Sequence, residues 1–403
     1  MSIIADKSVR SQKTVWVAIF LLFTGFIGTK YFAGLNQALL FLIGGALGIT
    51  LYHASFGFTS SWRIFIKEQR GRGLRAQMIM LALAVLLFFP ALSAGELFGH
   101  PVKGFVSPVS MSVAIGAFIF GIGMQLGGGC ASGTLYTVGG GSARMLITLV
   151  FFCLGSLLAT AHLDWWFNLP HLAPISVVEK LGVMPALLIN LVLFALIAYL
   201  TVFFEKRRHG SLEVAPVSKN HGFRRFLQGP WSLILGGVLL TLLNYATLAL
   251  AGRPWGVTSA LAVWAAKFVE VLGMNVAAWQ YWQEPANAKA LAEPLWFDIT
   301  SMMNSGIMIG ALLAASLAGK FAPNFKIPRR SILAAVIGGL LLGYGARLAY
   351  GCNIGAYFSG IASGSLHGWL WLCFAFIGNA LGVRLRPAFF PDEKPQTTKI
   401  TGC

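Results

Sequence analysis

The sequence predicts an all-α polytopic membrane protein of about ten spans in two inverted repeats, with Gly-rich helices that break or re-enter. Composition is the first sign: 57% of residues are hydrophobic, 11% are charged and mean hydropathy is +0.73. Such values lie far from those of an ordinary soluble domain. Second, apolar runs of about 17–22 residues match the ~20 residues of helix that a bilayer core requires. They lack the period-2 alternation of barrel strands. Third, the chain repeats itself: Gly116, Gly121, Gly123, Gly129 and Gly133 recur as Gly338, Gly343, Gly345, Gly351 and Gly355, with Leu126 recurring as Leu348 and Cys130 as Cys352.

The spans are expected at about 14–30, 36–57, 74–92, 106–124, 143–163, 183–204, 231–251, 298–319, 331–350 and 368–384. Their orientation follows from the basic clusters: Lys7/Arg10/Lys13, Arg63 to Arg75, Arg144, Lys206 to Arg225, Lys320 to Arg330, and Arg384 to Lys399. All fall in the cytoplasm if both termini are inside and the number of spans is even. The N-terminus lacks a small-residue cleavage site, so its first apolar run reads as a retained span. The net charge of +17 lies in short clusters between spans, not along one polar face, which argues against nucleic acid.

A second repeated element supports this map. Phe56-Gly57-Phe58-Thr59-Ser60 after span two is echoed by Trp255-Gly256-Val257-Thr258-Ser259 after span seven. The chain therefore reads as one transmembrane domain over 1–403: repeat one at about 36–163, an odd helix and cytoplasmic linker at 183–230, repeat two at about 231–385, and a cytoplasmic tail at 386–403. The odd helix turns the second repeat over. The stretch 252–297 lies outside and is too broken for a span; its Trp279, Trp282 and Trp296 read as an interfacial aromatic belt, with a lid over the outer vestibule as the other reading. Glu270 and Lys267 there read as a simple pair.

Paired, Gly-interrupted segments in the two halves of a membrane protein point to a transporter's binding site. The path residues are therefore taken as Cys130, Cys352, Gly129, Gly351, Gln125, Arg347, Ser132, Thr134, Asn353, Thr59 and Thr258. A neutral thiol donates a weak hydrogen bond suited to a soft sulfur atom. Backbone N–H groups at broken helix ends supply partial positive charge for an anion. Arg347 is the one arginine well inside a predicted core, where an ionisable residue is functional by default. Thr59, Ser60, Thr258 and Ser259 read either as helix-end caps or as pore hydroxyls. Cys153 and Cys373, in plain apolar runs, read as packing. No Cys-x-x-Cys or nearby His completes a metal ligand set. No cofactor is expected, and neither nucleotide-hydrolysing nor standard hydrolase motifs occur, so no enzyme is predicted.

The segments G-G-G-C-A-S-G-T at 127–134 and G-A-R-L-A-Y-G-C-N-I-G at 345–355, with both G-x-T-S elements, resemble the YeeE/YedE family of bacterial inner-membrane proteins. The resemblance covers roughly residues 36–385. It implies an inner-membrane location and an hourglass of inverted repeats. It also implies uptake of a small sulfur-containing anion, thiosulfate first, whose terminal sulfur passes along cysteines by S–H···S contacts. Cys130 and Cys352 match the family's two G-C cysteines. A third, found in thiosulfate members, would fall on Gly57, which departs from the pattern. The partners implied are the small anion, membrane lipid and a cytoplasmic sulfur-carrier protein. Alternatives are another sulfur or selenium species, and a membrane sulfurtransferase carrying a Cys persulfide, for which a low-pKa thiolate near Arg347 is the expected sign.

Overall fold

The computed structural model describes residues 2–214 and 220–391, with side chains from residue 12 onward. Parts of the expected linker and tail, including Lys219, Lys394, Lys399 and Cys403, lie outside the described residues. Among the described residues nine helices are long and apolar enough to cross a membrane. The first, α1 (Ser2–Ala54), is two helices joined at Gly34, whose φ of 88° and ψ of 171° break the helical path. Counting both parts gives the ten expected spans.

Repeat one continues with α2 (Phe58–Glu68), α3 (Arg72–Ala94), α4 (Met111–Gly127), α5 (Ala131–Gly139) and α6 (Ala143–Thr160). Two short helices, α7 (Leu163–Phe167) and α8 (Val177–Leu181), lead to α9 (Val183–His209), the odd helix, and to α10 (Gly222–Gln228). Repeat two has α11 (Leu233–Ala251) and α12 (Thr258–Val271), then α13 (Gln280–Gln283) and α14 (Pro285–Ala292) in an insertion. It resumes with α15 (Ile299–Leu317), α16 (Arg329–Leu348), a π-helix (Asn353–Ser359), α17 (Gly360–Ala362) and α18 (Leu366–Phe389). Strand is limited to two-residue ribbons, Glu96–Leu97 with His100–Pro101 and Val109–Ser110 with His171–Leu172.

Span ends shift from expectation by a few residues, and most where polar side chains set them. The fourth span starts at Met111, not near 106, because Ser110 caps it by accepting from Val113 N. Ser142, Ser232 and Asp298 cap α6, α11 and α15 in the same way.

The packing follows the repeat. With the second part of α1 matched to α11, α2 to α12, α3 to α15, α4 to α16 and α6 to α18, the principal helix contacts in one half have their counterparts in the other. Thus α1 packs on α15 and α11 on α3, α4 packs on α18 and α16 on α6, and α2 packs on α18 and α12 on α6. The halves are interleaved, and α4 crosses α16 at the centre. Small residues let this crossing close to backbone distance. A Cβ built on Gly345 would lie 2.5 Å from the Gly116 carbonyl oxygen, and one on Gly123 2.8 Å from Leu342 N. The Trp-rich insertion is not an aromatic belt throughout: Trp282 is 2% exposed and packs with Leu157, Ala262 and Ala266. It is buried because its Nε1 donates to Thr160 Oγ1 at 3.3 Å. Lys267 donates to the Leu291 carbonyl, because the insertion folds back over it, and Glu270 and Asp298 attract it electrostatically.

Substituting Gly338→Ala places a Cβ against the Gly127 backbone, which cannot move as a side chain can. It should destabilise the folded protein by about 1–3 kcal/mol, read as a lowered unfolding midpoint in detergent. Gly28→Ala, where a Cβ meets nothing within 4 Å, should leave that midpoint in place.

Candidate functional site

The long helix α4 stops at Gly128, whose φ of 92° is costly for any residue with a Cβ. The chain then passes Gly129 and restarts at Cys130, the N-cap of α5. The Cys130 Sγ accepts from Gly133 N at 3.4 Å and lies 3.4 Å from Ser132 Oγ; Thr134 Oγ1 donates to the Cys130 carbonyl at 2.9 Å. In the other half α16 stops, Gly351 takes φ 151°, and Cys352 caps the π-helix, its Sγ accepting from Ile354 N at 3.4 Å. Each sulfur thus accepts from a backbone N–H, and each thiol keeps a proton able to donate, which at Cys130 has Ser132 Oγ within reach. Cys130 is 1% exposed and Cys352 0%. The short helices they cap touch, and the two thiols lie within electrostatic reach of each other. Cys153 is half-buried and Cys373 exposed on an apolar helix face.

The repeat extends to the polar residues around the thiols. Gln125 on α4 and Arg347 on α16 hold the same register in the two copies. Gln125 Nε2 donates to the Thr59 carbonyl at 3.1 Å and to Asn379 Oδ1 at 3.0 Å. Arg347 Nη2 donates to Thr258 Oγ1 at 3.0 Å and its Nη1 to Tyr281 Oη at 3.2 Å. Both therefore tie a long helix to the start of α2 or α12. Thr59 and Thr258 do not cap those helices: the N-caps are Gly57 and Val257, with no side-chain cap bond. Ser259 Oγ donates to Thr300 Oγ1, and Ser60 Oγ to the Gly57 carbonyl.

Several buried polar atoms near the thiols have no hydrogen-bond partner: both amide atoms of Asn353, the Tyr357 hydroxyl, Thr59 Oγ1, Gln125 Oε1 and Trp371 Nε1. Tyr357 stacks on Trp371 at 6.2 Å between ring centroids, and Trp62 stands edge-on to Tyr357 at 6.1 Å. These donors and acceptors stand in a low-dielectric centre, where an unpaired polar group is costly unless something else uses it.

Cys130 also lines a half-open cavity of about 690 Å³. Its wall includes Gly57, Thr59 and Tyr136 and is rimmed by Arg63, Arg144, Lys320, Lys326 and Arg386, with no Asp or Glu in the lining. Arg144 Nη2 and Arg386 Nη1 donate to the Leu126 and Gln125 carbonyls, at 2.7 and 2.5 Å, so both hold the C-terminal end of α4. The guanidinium groups lie 4.8 and 4.4 Å from the Phe390 ring centroid. Sequence reasoning counted these arginines only as loop charges. It missed Tyr281 altogether, because the insertion has no counterpart in repeat one.

Interleaved, Gly-broken repeats around buried thiols and a one-sided basic cavity define a multi-pass membrane transporter rather than an enzyme. The sequence profile of the sulphur transport family matches residues 53–381, and the chain belongs to that family. It is 28% identical to the thiosulfate transporter TsuA of Spirochaeta thermophila over 361 residues, covering 84% of this chain and 95% of that protein. To the thiosulfate transporter TsuA of Escherichia coli K12 it is 25% identical over 350 residues, 84% and 91% of the two chains. To the probable transporter YedE of the same strain it is 32% identical over 168 residues, 41% of each.

Asn353 separates function from stability. Its amide bonds nothing in the protein, so Asn353→Leu should not lower the unfolding midpoint and should raise it by the equivalent of about 1 kcal/mol. Uptake of the transported solute should nonetheless fall at least tenfold. A loss of stability in step with uptake would make the amide structural.

Proposed function

We propose that this protein imports a small sulfur-containing anion, thiosulfate first, across a bacterial inner membrane with both termini in the cytoplasm. The observation that carries the reading is Cys130 in the wall of a cavity with five cations and no carboxylate in its lining. The basic clusters gather on that side, which makes it cytoplasmic by the positive-inside rule. Entry is then from the side of Arg347 and Cys352. The anion's oxygens meet neutral donors, Asn353 and Tyr357 among them, while its terminal sulfur accepts first from one thiol and then from the other. Neutral donors suit a dianion in transit, because a fixed cation at the centre would hold it too tightly to release. The positive rim lowers the energy of the anion as it leaves and is a docking surface for an acidic sulfur-carrier protein. The names of the two TsuA relatives support thiosulfate over other sulfur or selenium species.

A persulfide-carrying sulfurtransferase fits less well. It needs an exposed thiolate beside a cation, whereas both thiols are buried and Arg347 turns to Tyr281 and Thr258.

Growth separates these readings. In cells lacking their own importers, this chain should support growth on thiosulfate and not on sulfate, which has similar charge but no soft sulfur. Equal growth on both would overturn the thiol path. Cys130→Ala should abolish uptake, and Cys153→Ala and Cys373→Ala should leave it largely intact. Gly57 has φ −105°, which any side chain tolerates, and a Cβ there would clash with Ser60 Oγ at 2.5 Å, its next neighbours lying 3.6 and 3.9 Å away. Gly57→Cys should therefore fold once that hydroxyl turns, and should raise thiosulfate uptake by adding a thiol to the cavity wall.

Topology is checked independently. Reporters inserted after Gly210 and after Leu172 should lie in opposite compartments, the first in the cytoplasm.

A further inference from the structure

The halves differ most between the short helix and the next span. In repeat one α2 reaches α3 through residues 69–71; in repeat two α12 reaches α15 through residues 272–298. This insertion starts at Gly273, where φ is 89° and a Cβ would meet nothing within 4 Å. It folds back over the outer end of α6, α12 and α16: Trp282 is buried against α12 and bonds Thr160, and Asn287 Nδ2 holds the Tyr281 carbonyl at 3.0 Å. The Tyr281 hydroxyl so placed meets Arg347, one short turn before Gly351 and Cys352.

The Arg347 site has the form of an occupied anion receptor. A guanidinium pairs best with two oxygens of one anion, each taking a terminal N–H. Here the two places are filled by neutral hydroxyl oxygens, Thr258 Oγ1 at 3.0 Å and Tyr281 Oη at 3.2 Å. The buried Nε has no partner, and no acidic group lies within ion-pair distance among the described residues. Two neutral oxygens leave a half-buried cation uncompensated, so an arriving anion is the stronger partner. Gln125, in the same register of the other half, carries no charge and has no insertion over it.

We propose that residues 272–298 form an outer gate, closed by the Tyr281 hydroxyl on Arg347, and that Arg347 is the first receptor for the incoming oxyanion. The anion takes the place of the Tyr281 oxygen, frees the insertion to swing about Gly273 and opens the approach to Cys352. Thr258 stays as the fixed second oxygen partner. The proposal rests on the reading of the protein as an anion importer with this side outward.

Labelling of Cys352 in intact cells tests it without relying on transport. Membrane-impermeant methanethiosulfonates, one carrying a sulfonate and one a trimethylammonium, are added outside, and modification of Cys352 is followed by mass spectrometry. In the unaltered chain the anionic reagent should label faster than the cationic one. Tyr281→Phe removes one hydrogen bond and keeps the ring, so labelling by both should rise about fivefold, the factor for about 1 kcal/mol. Arg347→Gln should erase the preference for the anionic reagent, and Arg347→Lys should restore it in part. Labelling unchanged by Tyr281→Phe would overturn the gate; a preference that survives Arg347→Gln would overturn the receptor. Thiosulfate uptake by the same cells is scored separately. If labelling behaves as expected while thiosulfate is not taken up, the gate stands and the choice of substrate falls.

Discussion

The approach of α4 to α16 at backbone distance is the constraint on which the rest of the structure depends. Glycines on both helices permit it, and a Cβ at Gly116, Gly123, Gly338 or Gly345 would strike the other helix. Both helices break where a glycine takes positive φ: α4 ends at Gly127 with Gly128 at 92° as its C-cap, and α16 ends at Leu348, ahead of Gly351 at 151°. The chain then restarts in short helices, and the first position after each break is a cysteine. The thiols are therefore placed by these breaks. Each sulfur accepts from the restarting backbone, and each thiol proton can still donate.

Charge is kept out of the centre and placed toward the two ends. The cavity on the Cys130 side is lined by five cations, and two of these, Arg144 and the buried Arg386, also neutralise the negative end of α4. The centre has no fixed charge but holds the Asn353 amide, the Tyr357 hydroxyl and the two thiols. A cation there would cost several kcal/mol to desolvate and would trap a dianion. Neutral donors cost less and release more readily, at the expense of leaving the donors unpaired in the folded protein.

The sequence made the repeats legible because a twofold fold must solve the same packing problem twice. The glycines, the cysteines and the G-x-T-S elements recur because each copy needs the same close crossing and the same break. The shared register of Gln125 and Arg347 was also readable. Less readable was what depends on contacts across the halves. Thr59 and Thr258 resemble helix caps in sequence, but tertiary partners decide their bonds: Thr258 accepts from Arg347, and the Thr59 hydroxyl has no partner. Arg144 and Arg386 looked like topology signals because nothing local shows that they reach the α4 carbonyls. Trp282 looked like a belt residue because amphipathic composition does not say whether a segment lies on lipid or folds over protein. Tyr281 carries no signal, since a single tyrosine in an unrepeated insertion has no second copy against which to be noticed.

An exact twofold path would treat both directions alike, so the departures from symmetry are what distinguish its two ends. On the cavity side the equivalent of Arg347 is neutral Gln125, and α2 joins α3 directly, which leaves Cys130 reached by an open vestibule. On the opposite side the charge is present and the insertion covers it. A charge at the mouth captures an anion from a dilute outer phase, whereas a diffuse rim of cations at the exit lowers its energy without binding it at one point. In the proposed gate, a neutral hydroxyl over Arg347 would make capture and opening the same event, because a charged partner replaces Tyr281 on Arg347 with a net gain. On the proposed path, Arg347 in the register that Gln125 holds in the other half, with the insertion over it, is what distinguishes the end that would receive the solute.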